Sequence, residues 1–236
     1  MDFSVSPRKS SDIGSLFSRK ADLLRSIFTL LLIQIAITGI VAHFVPYTKP
    51  DKKSTANKMT GAQVAVLILV IVALIAFLWF AIGIIMNPAL PAYVRIGMFT
   101  VISGIFGYFL RYVKTISQDI IIMAGSLTAG AFVVMGGLGY FIASKNVDLS
   151  PMGGFLCGAL LVLIICSIIA FIAFPKEPLI RKILTIIAVV IFSLYIMYDA
   201  NQVLMRDIDY IEGAFSFYLD IINIFQDILS LLSEDF

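Results

Sequence analysis

Residues 63–86, QVAVLILVIVALIAFLWFAIGIIM, run for 24 positions without a formal charge. An α-helix rises about 1.5 Å per residue, so a stretch of this length can cross the roughly 30 Å hydrocarbon core of a bilayer. Its apolar residues do not alternate with polar ones, which argues against a strand of a membrane β-barrel. The stretch therefore predicts a transmembrane helix.

The rest of the chain repeats this pattern. Of its 236 residues, 60% are hydrophobic and only 14% are charged, and the mean hydropathy is +1.02. A soluble domain carries about 25% charged residues. We therefore expect an all-α membrane protein, a seven-transmembrane-helix bundle over residues 23–233, with a polar N-terminal tail (1–22) and an acidic C-terminal tail (234–236). The predicted spans are approximately 24–45, 63–86, 92–112, 120–144, 151–174, 179–204 and 213–232.

Composition argues against several classes of protein. The net charge of +2 gives no basis for nucleic-acid binding, and the single histidine, His43, argues against a histidine-based metal site. The chain shows no nucleophile–base pair, phosphate loop or cysteine cluster, so we expect neither an enzyme nor a bound cofactor.

Residues 1–22 are too polar for a cleavable signal peptide. Basic residues divide almost evenly between the two predicted sides, and the N-terminal cluster favours a cytoplasmic N-terminus, in the plasma (inner) membrane if the chain is bacterial.

Small residues recur in the third and fourth predicted spans, Gly107 and Gly139 among them. Glycines in membrane helices let neighbouring backbones approach closely. We interpret them as helix-packing positions and not as a binding site.

Three aspartates, Asp199, Asp220 and Asp227, fall inside the last two predicted spans. A carboxylate within a span costs roughly 2.5–3.5 kcal/mol on insertion scales, so each needs an explanation.

A short polar turn, residues 206–212, makes the two spans antiparallel neighbours. Asp199 and Asp220 lie equally far from its centre and hence at one depth. Two such carboxyl groups can share a proton, or repel and bind a cation when both ionise. Asp199 and Asp220 are therefore predicted as a pH sensor and gate, and as candidate Ca²⁺ ligands.

Further polar residues could continue a cation path from this pair. Asp220, Asn223 and Asp227 are spaced i, i+3 and i+7, on one stripe of a helix, and Asn201 lies close to Asp199 in sequence. Oxygen ligands of this kind suit a hard cation such as Ca²⁺. The alternative is that these side chains only pack helices together. Arg95 is a candidate counter-ion for the aspartates, or it extends to the lipid headgroups.

Three stretches are recognisable together: FSLYIMYDANQ (192–202), FYLDIINIF (217–225) and, before the fifth span, DLSPMGGFL (148–156). They resemble signatures of the Bax inhibitor-1 family, and the chain is similar to its bacterial-type members. The resemblance implies seven helices with the last one central. It also implies a pH-sensitive Ca²⁺ leak in which Asp199 and Asp220 share a proton in the closed state.

Two features depart from the family pattern, and one is Asp227, which stands where an uncharged polar residue is expected. Bacterial members with a leak carry basic residues at the end of the second span, whereas residues 84–88 here read IIMNP. Either Arg95 substitutes for them or the aspartate pair lacks a cationic partner.

The expected function is thus a calcium (cation) leak across a membrane, with the lipid bilayer, Ca²⁺ and H⁺ as partners. Calcium is the transported ion and not a resident cofactor. One alternative is a membrane interaction protein that modulates a membrane protease or the cell-death and stress machinery. A further alternative is a proton-coupled secondary transporter, although no inverted repeat is apparent.

Overall fold

The computed structural model describes residues 13–47, 61–174 and 177–233. Within these ranges the chain is helical and contains no strand. A 3₁₀ helix, Arg111–Thr115, accompanies seven α-helices: α1 (Ile13–Phe44), α2 (Gly61–Ile85), α3 (Ala92–Leu110), α4 (Gln118–Ser144), α5 (Ser150–Ala173), α6 (Pro178–Met205) and α7 (Tyr210–Leu232). Six of them are long and apolar enough to cross a membrane, and α2 adds a shorter apolar stretch, Val72–Ile85. The described chain is all-α, with six to seven helices suited to a bilayer.

Helix α1 begins well before the predicted first span. It starts at Ile13, whereas the apolar sequence begins near residue 24, so half of the predicted polar tail is helical. A helix satisfies its own backbone hydrogen bonds and can therefore continue from lipid into water. Asp22 and Arg25 form an exposed ion pair of 3.6 Å on this extension. The remainder of the predicted tails, residues 1–12 and 234–236, lies outside the described residues.

Side chains and backbone turns define the ends of the helices around the later spans. Asp209 caps α7, because its Oδ1 accepts hydrogen bonds from the backbone N–H groups of Ile211 (2.8 Å) and Glu212 (3.0 Å). This cap places the start of α7 at Tyr210, three residues before the predicted start at 213. Helix α4 ends at Ser144, and Asn146, two residues later, adopts a left-handed conformation (φ 58°) of the kind that asparagine tolerates after helix C-termini.

The described residues divide into two compact units, one of residues 13–29, 117–174 and 177–233 and the other of residues 30–47 and 61–116. The first, called here the larger unit, contains α4 to α7 and the beginning of α1. Within it α4 packs against α6 and α7, and α5 packs against α6. The rings of Phe28, Phe132 and Phe217 contact one another, with centroids 5.3 to 6.3 Å apart, and join α1, α4 and α7.

The second, smaller unit contains the rest of α1 together with α2 and α3. Gln34 of α1 is buried in it, accepts a hydrogen bond from the Ser103 hydroxyl (2.8 Å) and donates one to the Thr100 hydroxyl (3.2 Å). Nearby, Gly107 of α3 lies so close to Thr38 that a Cβ atom would come within 2.6 Å of the Thr38 carbonyl oxygen. Polar side chains and one glycine thus join α1 to α3 here, as expected for helices that associate in lipid.

Large apolar side chains remain on the outside of the helices. Val133 is 70% exposed, Phe155 72% and Ile172 73%. Water would penalise such a continuous apolar surface, whereas lipid is its natural solvent. The exposed surface therefore agrees with a multi-pass integral membrane protein.

Candidate functional site

Asp199 on α6 and Asp220 on α7 face each other inside the larger unit. Their side chains are within hydrogen-bonding reach of each other. Asp220 is only 5% exposed, and its fully buried Oδ2 finds no hydrogen-bond partner among the described residues. Because a carboxylate can only accept, a direct hydrogen bond between two carboxyl groups requires a proton on one of them. The structure thus brings together the two aspartates that lie at equal distances from the α6–α7 turn.

Aromatic and acidic side chains surround this pair. Tyr195 and Tyr198 on α6 interact electrostatically with Asp199, as does Glu212 near the start of α7. The Tyr198 hydroxyl also packs over Gly153 of α5, where a Cβ atom would lie 2.6 Å from it. Because the carboxyl groups are buried beside these side chains, an unshared charge on them is costly.

Helix α4 approaches α6 closely beside the pair. A Cβ atom at Gly139 would overlap the backbone carbonyl of Met197 and would lie 2.9 Å from the Cβ of Ala200. A Cβ atom at Gly137, two residues earlier, would have no atom within 4 Å. The glycine-rich sequence of α4 thus contains one position at which the helix crossing tolerates no side chain. That position contacts α6 on either side of Asp199 in sequence.

Asn201 is held by two hydrogen bonds, and its predicted place on a cation path stays a prediction. Its side chain is fully buried and is engaged by the loop between α4 and α5. Its Oδ1 accepts a hydrogen bond from the backbone N–H of Leu149, and its Nδ2 donates one to the backbone carbonyl of Val147, both at 2.9 Å. Because its amide binds the loop backbone, Asn201 fixes α6 to this loop.

Gln202 extends the same connection, a role that the sequence did not suggest. Its Oε1 accepts a hydrogen bond from the Ser150 hydroxyl at 3.1 Å, and its Nε2 donates one to Asp148 at 3.3 Å. The Ser150 hydroxyl and backbone N–H also bind Asp148, and these bonds lower the pKa of the Asp148 carboxyl below its ordinary value. One set of hydrogen bonds therefore connects the end of α6, at Asn201 and Gln202, to the Asp148-Leu149-Ser150 motif. About 50 residues separate the two segments in sequence.

Asn223 and Asp227 lie one and two turns beyond Asp220 on α7. Asp227 is partly buried, and its Oδ2 is fully enclosed without a hydrogen-bond partner among the described residues. It lines a cavity of about 510 Å³ between the end of α5, the start of α6 and the end of α7, together with Arg181 and Lys182. Asp227 thus lies toward the opposite end of α7 from the α6–α7 turn, in surroundings different from those of the aspartate pair.

Arg95 lies in the smaller unit. It is 4% exposed, and its Nε donates a 2.6 Å hydrogen bond to the backbone carbonyl of Ile85, the last residue of α2. A positive charge at a helix C-terminus is favourable, because the last carbonyl groups there carry partial negative charge. Arg95 therefore supplies a basic group at the end of the second helix, where residues 84–88 have none. Its predicted role as counter-ion to the aspartates stays a prediction.

No group of three or more His, Cys, Asp or Glu side chains suited to a metal ion occurs in the described part of the chain. Asp199 and Asp220 offer carboxylate oxygens only, the ligand type that Ca²⁺ prefers, but Ca²⁺ takes 6–8 oxygen ligands. A cation passing this pair would therefore keep most of its water.

These features define a class: a multi-pass α-helical membrane protein with two interacting carboxyl groups between its last two helices. Within that class the chain belongs to the Bax inhibitor-1 family, because residues 20–235 match the family model described as inhibitor of apoptosis-promoting Bax1. The family resemblance indicated by its sequence motifs is thereby confirmed.

Relatives from plants and bacteria agree with this assignment. The chain is 30% identical to Protein LIFEGUARD 4 of Arabidopsis thaliana over 213 residues, which cover 88% of this chain and 83% of the relative. It is 31% identical to Protein LIFEGUARD 2 of the same plant over 218 residues, with 89% and 86% covered. An uncharacterized membrane protein of Vibrio cholerae is 28% identical over 131 residues, 55% of this chain and 57% of that protein.

Proposed function

We propose that this protein is a pH-sensitive calcium (cation) leak channel gated by Asp199 and Asp220. In this proposal all seven helices cross the membrane, α7 lies at the centre of the bundle, and the N-terminus is cytoplasmic, in the plasma membrane if the protein is bacterial. The observation that supports the proposal is that two carboxyl groups on adjacent helices lie within hydrogen-bonding reach of each other. A charge in such a place is costly, and intramembrane acidic residues are characteristic of ion and proton pathways.

The gate depends on how many protons the pair holds. With one shared proton, a charge-assisted hydrogen bond ties α6 to α7. Without it, two adjacent carboxylates repel each other and attract a hydrated cation. With a second proton, the charge that strengthens the hydrogen bond is lost. The closed state is therefore favoured over the range in which the pair holds a single proton.

Contacts near the aspartate pair restrain α6 more than α7. Asn201, two residues after Asp199, holds α6 to the α4–α5 loop, and Gly139 holds α4 against α6. We propose that α7 is the element that shifts when Asp199 and Asp220 separate. Asn223, one turn further along α7, would then offer the next oxygen ligand to the cation. Arg95, at the end of α2, is the proposed counter-ion that favours ionisation of the pair.

Purified protein in liposomes that contain a Ca²⁺-sensitive dye tests the proposal. Asp199→Asn and Asp220→Asn should each change the leak rate about tenfold, the effect of losing one charge-assisted hydrogen bond of roughly 1.5 kcal/mol, and should remove the minimum in its pH dependence. Asp207→Asn is the matched control, because Asp207 is fully exposed in the α6–α7 turn. If all three variants leak like the wild type at every pH, the aspartate pair is not the gate.

A second function has support from the family description, which names inhibition of apoptosis-promoting Bax1. In that case the chain acts by binding another membrane protein, such as a protease or a component of the cell-death and stress machinery. Its activity would then survive neutralisation of both aspartates and fail on deletion of residues 1–22. The same set of variants, assayed for partner capture and for Ca²⁺ flux, separates the two proposals.

A further inference from the structure

The cavity around Asp227 is built from charged and hydroxyl groups near one end of the larger unit. Arg181 and Lys182, in the first turn of α6, are exposed at its edge, and neither forms an ion pair within the described residues. Asp227 supplies a carboxylate oxygen that no hydrogen bond satisfies. Burial of such an oxygen costs about 1–3 kcal/mol or more unless a donor reaches it, so a ligand that brings a hydrogen-bond donor to Asp227 would be stabilised there.

An apolar groove of about 580 Å³ adjoins this cavity. Leu184 lines both, and the neighbouring residues Cys166 and Ser167 line one each, so the two continue along the seam between α5 and α6. The groove runs along α6 as far as Ile191, ten residues beyond Arg181, and is almost entirely apolar. Ten helical residues correspond to about 15 Å, half the thickness of the hydrocarbon core and hence one leaflet.

The charges that line the cavity and the shape of the adjoining groove together indicate which ligand would bind there. Two basic side chains at headgroup level match a phosphate, and a buried carboxylate beneath them matches a primary ammonium group. The adjoining groove matches an acyl chain over the depth of one leaflet. We propose that this site binds one phospholipid with a primary-amine headgroup of the phosphoethanolamine type, with its ammonium on Asp227, its phosphate on Arg181 and Lys182, and an acyl chain between α5 and α6.

This inference is independent of the Ca²⁺ leak, because it concerns a different end of α7 and predicts binding of a lipid. A lipid that merely surrounds the protein would need the apolar groove alone. The buried carboxylate is the feature that distinguishes the proposed ligand. A phosphocholine headgroup cannot donate a hydrogen bond to Asp227, and a phosphoglycerol headgroup brings no positive charge to it.

Native mass spectrometry of the detergent-solubilised protein, with defined lipids added, measures the selectivity. We expect phosphatidylethanolamine to bind about tenfold more tightly than phosphatidylcholine or phosphatidylglycerol, the effect of one additional charge-assisted hydrogen bond. Asp227→Asn should abolish this preference, and Arg181→Gln with Lys182→Gln should weaken all three lipids. Asp207→Asn and Lys145→Gln, which change charges outside the cavity, should behave like the wild type. Soluble phosphoethanolamine should not displace the bound lipid, because it cannot occupy the groove.

Two cysteines report the location of the lipid. Cys166 lines the groove, whereas Cys157, also exposed on α5, does not line it. Phosphatidylethanolamine should slow alkylation of Cys166 in Cys157→Ala, and should leave alkylation of Cys157 unchanged in Cys166→Ala. Equal binding of all three lipids, a preference for phosphatidylglycerol, or equal protection of both cysteines would each overturn the proposal. Melting temperatures in lipid-free detergent identify any variant that fails to fold.

Discussion

Gly139 of α4 lies directly against the backbone carbonyl of Met197 of α6, and a Cβ atom at position 139 would overlap that oxygen. Met197 precedes Asp199 by two residues. The contact therefore fixes the position of α6 beside the aspartate pair, and neither helix can yield without moving its backbone. Membrane helices use such small residues because close backbone approach gains van der Waals contact in a solvent that supplies no hydrophobic force between them.

Gly139→Ala should lower the free energy of unfolding by about 1–3 kcal/mol, because the added methyl group forces α4 and α6 apart. Thermal unfolding in detergent measures the effect. Gly137→Ala is the matched control in the same helix, since nothing lies within 4 Å of a Cβ there. It should leave stability unchanged or raise it by up to about 1 kcal/mol, through the better helix propensity of alanine. Equal effects of the two substitutions would contradict the proposed close contact.

Asn201→Ala should release the α4–α5 loop. It removes the hydrogen bonds to the backbone of Val147 and Leu149, a loss of about 2 kcal/mol. Hydrogen exchange at the Leu149 amide should become faster as well. Gln118→Ala, an exposed amide at the start of α4, should stay within about 0.5 kcal/mol of the wild type. Unchanged exchange at Leu149 in Asn201→Ala would show that the loop is held by other contacts.

The Asp148 carboxyl should make stability depend on pH in acid. Its pKa is lowered from the ordinary value of 3.8, chiefly by the hydrogen bonds from Ser150. A lowered pKa in the folded state means that the ionised form stabilises the fold above about pH 4, and this contribution disappears as pH falls through the lower, folded-state pKa. Melting temperatures between pH 6 and pH 3 should therefore fall further for the wild type than for Asp148→Asn. Identical slopes would exclude a role for the Ser150 contacts.

Gln34 and Ser103 should be energetically coupled. Their side chains hydrogen-bond at 2.8 Å in the buried part of the smaller unit. A double-mutant cycle of Gln34→Leu and Ser103→Ala should give a coupling energy of about 0.6–1.7 kcal/mol, the range for polar pairs between membrane helices. A cycle that pairs Gln34→Leu with Thr128→Val, a substitution in the larger unit, should give additive effects. Additivity in both cycles would mean that Gln34 stabilises its helix without Ser103.

The Ca²⁺ leak should have a minimum as a function of pH if the aspartate pair is the gate. Adding a proton to the pair, or removing the shared one, weakens its hydrogen bond, so the rate should rise on both sides of the minimum. In Asp220→Asn only Asp199 still titrates, and the minimum should disappear. Flux into liposomes over a series of external pH values provides the curve. A wild-type rate that is flat in pH would contradict gating by a shared proton.

Much of this architecture could be predicted from local sequence. Apolar stretches long enough for a bilayer located the helices, because in lipid a chain must satisfy its backbone within each segment. The ends of those helices were less predictable, since they depend on individual contacts. Asp209 caps α7, and the helix therefore starts three residues before its predicted start. Helix α1 continues to Ile13 because a helix satisfies its own backbone hydrogen bonds in water as well as in lipid.

The candidate site was predicted only in part. Equal spacing from a short turn predicted one depth for Asp199 and Asp220, and in the structure their side chains lie within hydrogen-bonding reach of each other. The hydrogen-bond partners of Asn201 were not predictable in this way, because helix rotation decides which side chain faces which neighbour, and spacing along one helix leaves rotation undetermined. The connection from Asn201 and Gln202 to the loop before α5 became visible only in three dimensions.

The sequence alone thus determined that the chain is helical, that it suits lipid and that two aspartates share a depth, because length, hydropathy and helical rise are properties of single segments. Tertiary structure decided which small residues mark helix crossings, which polar groups satisfy one another, and that Asp227 lies in a cavity with Arg181 and Lys182. Those outcomes depend on the rotation and packing of several helices at once, and no single segment encodes them.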